Sequence, residues 1–181
     1  MYDMSINRPM RDGNMLYASG IRTQSVMMRL DTQRVGATEV WRGERDRSVF
    51  TSNSTPLFVD GVVFGTDCNV GNLIAVDGGS GDRLWTTFEP TRPDVTRFIK
   101  HGTAFITRIG ETDRYFLFSE TGDLVMARMT REGYEGLGRF HVLEPTGEAF
   151  GRDVVWSHPA YANQTAFIRN DQEIVAVSLA K

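Results

Sequence analysis

The sequence predicts an all-β chain: a propeller-type array of four four-stranded antiparallel blades, the last lacking its outer strand. Three observations carry this. A unit of strand, turn, strand, loop, strand, Gly-rich turn and strand recurs with a period of about 50 residues, within the range of propeller blades. Apolar positions alternate or come in runs of three to five, bounded by Gly, Asp and Asn, as short strands and tight turns require. No stretch places apolar residues at helical spacing.

The clearest unit is the second, 54–91. LFV at 57–59 and VVFGT at 62–66 flank the turn pair Asp60-Gly61. LIAV at 73–76 has the length of a buried strand, and the Gly- and Asp-rich 77–82 is a turn. Residues 83–88 make the outer strand, with Trp85 as its apolar anchor. The first unit, 5–44, repeats this plan. Asp12-Gly13 matches Asp60-Gly61 at a spacing of 48, and Trp41 matches Trp85 at 44. The third unit, 98–146, has strands at 103–107, 114–118, 124–129 and within 134–143; its LEPT matches FEPT at a spacing of 55. The fourth, 154–181, has Pro159 matching Pro56 at 103, two periods on, and reaches only its third strand. The whole reads as one domain, 1–181. Trp41 and Trp85 are expected to fill the gaps between neighbouring blades.

Composition bounds the partners. A net charge of −3 gives no electrostatic case for nucleic acid or an anionic membrane. The single Cys68 excludes an internal disulfide and any multi-Cys zinc site. The first residues carry no basic region followed by an apolar run, so no signal peptide is expected, and no apolar run has membrane-spanning length.

The pattern Pro-x-x-x-Asp-Gly, a VVFG-like strand, LIAVD, a Gly-rich turn and Leu-Trp resembles the repeat of quinoprotein (PQQ-like) β-propellers. The stretches TDCNVGNLIAVD, YFLFSETGDLVMARM and VVWSHPAYANQTAFIRND more closely resemble uncharacterised PQQ-like proteins of planctomycete-type bacteria. The resemblance implies tryptophan-bearing blades in a ring of seven or eight, and a periplasmic or secreted setting. The family includes quinoprotein dehydrogenases and a non-enzymatic lipoprotein of outer-membrane protein assembly. Its enzymes resemble one another in an adjacent Cys-Cys pair, a stacking tryptophan and calcium ligands. Cys68 has no neighbouring Cys, so neither PQQ nor any other cofactor is expected here.

Strand order decides which loops share a face. Crossovers from an outer strand to the next inner strand lie on the side of the loops between second and third strands. The crossovers 42–53, 89–100 and 144–155 are long, and long loops on a rigid scaffold are where function sits. The same face carries Asp67, Cys68, Asn69, His101, Asp153, Trp156 and His158.

His158 precedes Pro159, which biases it to extended backbone at the mouth of the central channel, beside Trp156. One reading is a ligand-binding pair. The other, favoured on pattern alone, packs Trp156 between blades and has His158 cap a buried polar group. His101 is expected as a solvated loop residue and His141 as a surface residue of an outer strand. The loop 67–72 lacks the Gly and Glu positions of an EF-hand, and no base is placed to activate Cys68. Gly-x-Ser-x-Gly and His-Glu-x-x-His are absent.

The ligand-binding candidates are therefore Trp156, His158, His101, Asp67 and Asn69, with no catalytic residue and no metal ligand set. The expected function is a non-catalytic binding or protein-interaction scaffold. The alternative is a fragment or subunit of a PQQ-dependent quinoprotein oxidoreductase. The largely apolar edge at 173–179, EIVAVSL, invites pairing with another chain, so a two-fold dimer making eight blades is expected. The competing arrangement is a four-bladed monomer with residues 1–6 supplying the missing strand.

Overall fold

Each blade grows from hairpins whose turns suit the right-handed twist of the strands. The computed structural model describes residues 4–94 and 98–180. The first sheet runs β1 (Met10–Asp12), β2 (Met15–Ser19), β3 (Ser25–Leu30) and β4 (Ala37–Arg42). The second runs β5 (Leu57–Val59), β6 (Val62–Thr66), β7 (Leu73–Asp77) and β8 (Arg83–Thr87). The third runs β9 (Ala104–Arg108), β10 (Arg114–Ser119), β11 (Asp123–Met129) and β12 (Tyr134–His141). A two-stranded hairpin follows, β13 (Gly147–Ala149) and β14 (Arg152–Val154). The last sheet has three strands, β15 (Ala160–Ala162), β16 (Thr165–Arg169) and β17 (Ile174–Ser178). Every pairing is antiparallel between sequence neighbours, and the described residues contain no helix. The chain is an all-β, propeller-type array.

The register repeats between blades. Met10 pairs with Tyr17, Leu57 with Phe64 and Ala160 with Phe167, each closing on a two-residue turn. Both turn residues have positive φ in Asp60-Gly61 (52° and 74°) and in Asn163-Gln164 (49° and 56°), the geometry two-residue hairpins favour. A bulge also recurs in the outer strand pair. It follows Met27↔Trp41, Ala75↔Trp85 and Met126↔Gly138. The two tryptophans thus occupy one structural position, and Gly138 occupies it in the third blade.

The core lies between sheets. Tyr17, Met27 and Trp41 of the first blade pack on Phe58, Val63, Ile74 and Val76 of the second. Val62, Phe64, Leu73 and Ala75 pack in turn on Tyr115, Leu117, Val125 and Ala127 of the third. Phe105, Phe118 and Leu124 then meet Ala166 and Ile168 of the fourth. Burying each Val, Leu, Ile, Phe or Met among them stabilises by roughly 1.5–3 kcal/mol relative to exposure. The indoles lock the joints: Trp41 Nε1 donates to the Gly78 carbonyl at 2.9 Å, and Trp85 Nε1 to that of Thr130 at 2.9 Å. Each acceptor lies in the turn after the third strand of the next blade.

One feature differs from the sequence reading, and a second bears on the competing arrangement. The crossover 144–155 is not all loop, because β13 and β14 pair within it. The polar lead-in lies on the first blade rather than beside β17: Ile21 N–H donates to the Met4 carbonyl, and Ser5 Oγ to that of Ser19. Residues 1–3, part of the segment considered for the missing strand, lie outside the described residues, as do 95–97 of the second crossover. Among the described strands β17 pairs with β16 alone.

Candidate functional site

Acidic residues at the end of the second strand pin the crossovers. Asp67 is buried. Its carboxylate accepts the Asn69 N–H at 2.8 Å and the Phe50 N–H at 3.2 Å, with the Arg83 guanidinium 3.8 Å away. Burial nonetheless holds its carboxyl above the usual carboxylate range, against those bonds and the Arg83 charge. The Cys68 N–H donates to the Phe50 carbonyl, and its own carbonyl accepts the His101 N–H at 2.8 Å. The 67–72 loop therefore joins the crossovers on both sides. Gly71, at φ +85°, leaves room there: a Cβ would come 2.7 Å from the Ile99 carbonyl oxygen. Asn69 is exposed and reaches the Arg22 carbonyl at 2.9 Å. Burial, with Asp67 beside it, pushes the Cys68 thiol up to about 11, leaving it protonated and a poor nucleophile at neutral pH.

Glu120 does the same work in the third blade, more completely. It is 0% exposed. Arg152 of β14 clamps it with two bonds, Nε to Oε1 at 2.9 Å and Nη2 to Oε2 at 3.0 Å. Trp156 Nε1 donates to Oε2 at 3.1 Å, and Arg92 of the second crossover stands 3.4 Å from Oε1. Paired, planar and charge-assisted bonds of this kind are the strong ones. They explain why the β13–β14 hairpin forms: its arginine is drawn to a buried carboxylate.

The tip of that hairpin carries an aromatic cluster. Phe150 sits at φ 50° and is 60% exposed. Its ring stacks on His101, itself at φ 58°, with centroids 4.8 Å apart, and tilts against Trp156 at 6.2 Å. Lys100 Nζ lies 5.5 Å from the Phe150 centroid, a cation–π arrangement. His101 Nδ1 is 3.0 Å from Ser52 Oγ. Left-handed backbone is uncommon in bulky residues, and two such residues in contact mark strain held by their surroundings. Burial, then the charges of Lys100 and Arg152, lower the His101 pKa, opposed by Glu120.

The remaining candidates separate. His158 tilts on Phe105 at 4.1 Å and lines a central pocket of about 260 Å³ with Met10, Leu57 and Ile106 of the other three inner strands. Burial lowers its pKa. His158 and Trp156 therefore do not share one contact set: the first faces the axis, the second Glu120 and Phe150. His101 is half-buried against Phe150 rather than a solvated loop residue. Asp67 and Asn69 act at the junction of the first two blades. His141 is on the surface, between Asp123 at 2.8 Å and Glu144 at 3.2 Å. The structure adds Glu120, Arg152, Phe150 and Ser52. None bore a motif: a lone Glu in a turn and a Phe before a Gly read as loop.

No family model matches the chain, and no curated protein matches it in sequence. Solved structures do match. BamB from Moraxella catarrhalis superposes with a TM-score of 0.60 at 14% identity, over 96% of this chain and 43% of that one. AztD from Citrobacter koseri gives 0.60 and 14% over the same shares, 96% and 43%. The quinohemoprotein alcohol dehydrogenase ADHIIG from Pseudomonas putida HK5 gives 0.53 and 15%, over 98% of this chain and 34% of that one. These neighbours are PQQ-like β-propeller proteins, and likeness at such identity shows the fold alone. The chain spans less than half the length of each.

Proposed function

We propose that this chain is a non-catalytic PQQ-like propeller module that acts as a binding or protein-interaction scaffold through its crossover face. Glu120 carries the reading. It is the most deeply placed acid on that face, and Arg152 and Trp156 hold both its oxygens. A general base or metal ligand needs a free lone pair aimed at a substrate. Asp67 is likewise committed to backbone N–H groups, and Cys68 is held as the thiol. What the face offers outward is the Phe150 ring, backed by His101, Trp156 and Lys100. Aromatic side chains, Phe among them, are enriched at binding surfaces.

The competing reading, part of a PQQ-dependent oxidoreductase, draws on the ADHIIG likeness. Calorimetry with PQQ and calcium separates the two. The scaffold reading expects no heat of binding at micromolar PQQ and no bound quinone absorbance. Tight, calcium-dependent binding would establish the oxidoreductase reading instead.

A further inference from the structure

Among the described residues, two blade faces carry interface residues with no blade against them. On the first blade, Leu16 pairs with Met28 and Ala18 with Val26. In the second blade the same register positions are Val63, Val76, Gly65 and Ile74. There Val63, Val76 and Ile74 are buried under Tyr17, Met27 and Trp41. Leu16, Val26 and Met28 face the opposite way, and all three remain partly exposed. On the fourth blade, Phe167 holds the register position of Tyr17 and Phe64, both of which lie buried in a joint. Phe167 is 40% exposed and its neighbour Ile174 is 71% exposed. Ala160 and Ala176 pair with Phe167 on the same face.

One open face is of the kind that receives a preceding blade. The other is of the kind that receives a following blade. Among the described residues both are uncovered, and a second copy supplies both complements at once. The solved neighbours hold more than twice the length aligned here on one chain, the space of a second copy.

We infer that the open face of the fourth blade, around Phe167 and Ile174, docks on the open face of the first blade, around Leu16, Val26 and Met28, of a second copy of this chain. The same contact made twice, about a two-fold axis, closes the pair into one ring. The central pocket beside His158 then faces the same pocket of the other copy. The inference rests on the fold and stands whether or not the scaffold reading holds.

Light scattering across a concentration series tests it. The expected mass is twice the 20.3 kDa of one chain, and Phe167→Glu and Met28→Glu should each return it to 20.3 kDa while the circular dichroism of the sheets is retained. Should either variant unfold, cysteine pairing decides. Phe167→Cys mixed with Leu16→Cys should give a disulfide-linked pair under oxidation, and neither alone should. A mass constant at 20.3 kDa, growth into open-ended polymers, a dimer that survives both charged variants in folded form, or Phe167→Cys linking to itself would each overturn the inference.

Discussion

The indole of Trp156 donates to the carboxylate of Glu120 at 3.1 Å, joining the segment that leads into the fourth blade to a turn of the third. The bond matters because the same carboxylate neutralises Arg152, whose side chain is only 16% exposed. Removing one member of a buried, hydrogen-bonded ion pair leaves the other uncompensated. Glu120→Ala should therefore destabilise the chain by about 3 kcal/mol, the lower part of the range for such losses, since Arg152 keeps some access to water. Urea unfolding measures it. A loss below about 1 kcal/mol would place the cluster among solvent-screened surface pairs. Glu120→Gln, which keeps the shape and one acceptor, should fall between.

Trp41 and Trp85 repeat each other one blade apart, in register, direction of packing and the carbonyl they bond. Trp85→Ala should cost about 3 kcal/mol, the low end of the range for large aromatic truncations, because the indole is only partly buried. A change of less than about 1 kcal/mol would contradict its place in the joint. Trp41 also covers Gly81, where a Cβ would come 2.9 Å from the indole. Gly81→Ala should therefore weaken the first joint even though it adds a methyl group.

These joints show how much the sequence made legible. Strand positions followed from turn pairs such as Asp60-Gly61 and from the spacing of Trp41 and Trp85, because local backbone chemistry sets both. The candidate face was legible as a set of loops, yet not as a site. His101 and Phe150 meet across 49 residues, and Glu120 and Arg152 across 32, so no local period reports them. The β13–β14 hairpin was hidden because its turn places Phe150 in a left-handed conformation that turn rules reserve for Gly, Asn and Asp. The bonds of Arg152 to Glu120 and the packing of Phe150 on His101 and Trp156 hold that turn.

Protonation gives a second test of the same face. His101 and His158 have folded pKa values below the ordinary 6.5, burial being the main cause in each. Both are neutral in the native state near neutral pH, and the unfolded chain binds protons first as pH falls. Their contribution is present above 6.5 and is lost as pH drops through the folded values. His141 runs the other way. Its bond to Asp123 raises its pKa, so its contribution is complete below 6.5 and fades as pH rises through the folded value. It is exposed, and screening keeps that term small. The melting temperature should therefore fall between pH 7 and pH 5, and His101→Gln with His158→Gln should flatten the slope. A proton NMR titration should place His141 above 6.5 and the other two below it.

Gly138 breaks the tryptophan pattern, and the break leaves a groove. It shares its bulge position with Trp41 and Trp85, yet it faces a groove of about 460 Å³ walled by Phe116, Leu124, Met126, Phe140, Val177 and Leu179. A Cβ at this position meets nothing within 4 Å. Glycine within a strand costs roughly 0.5–1 kcal/mol relative to alanine through its larger unfolded freedom. An indole here would also cover apolar side chains, as the other two do. Gly138→Trp should thus stabilise the chain by about 1 kcal/mol, which in a domain of this size raises the melting temperature by roughly 2–4 °C. Thermal unfolding followed by circular dichroism reads the shift. A lowered melting temperature would mean that the third joint is built on a different plan from the first two, because the indole could not settle where its counterparts do.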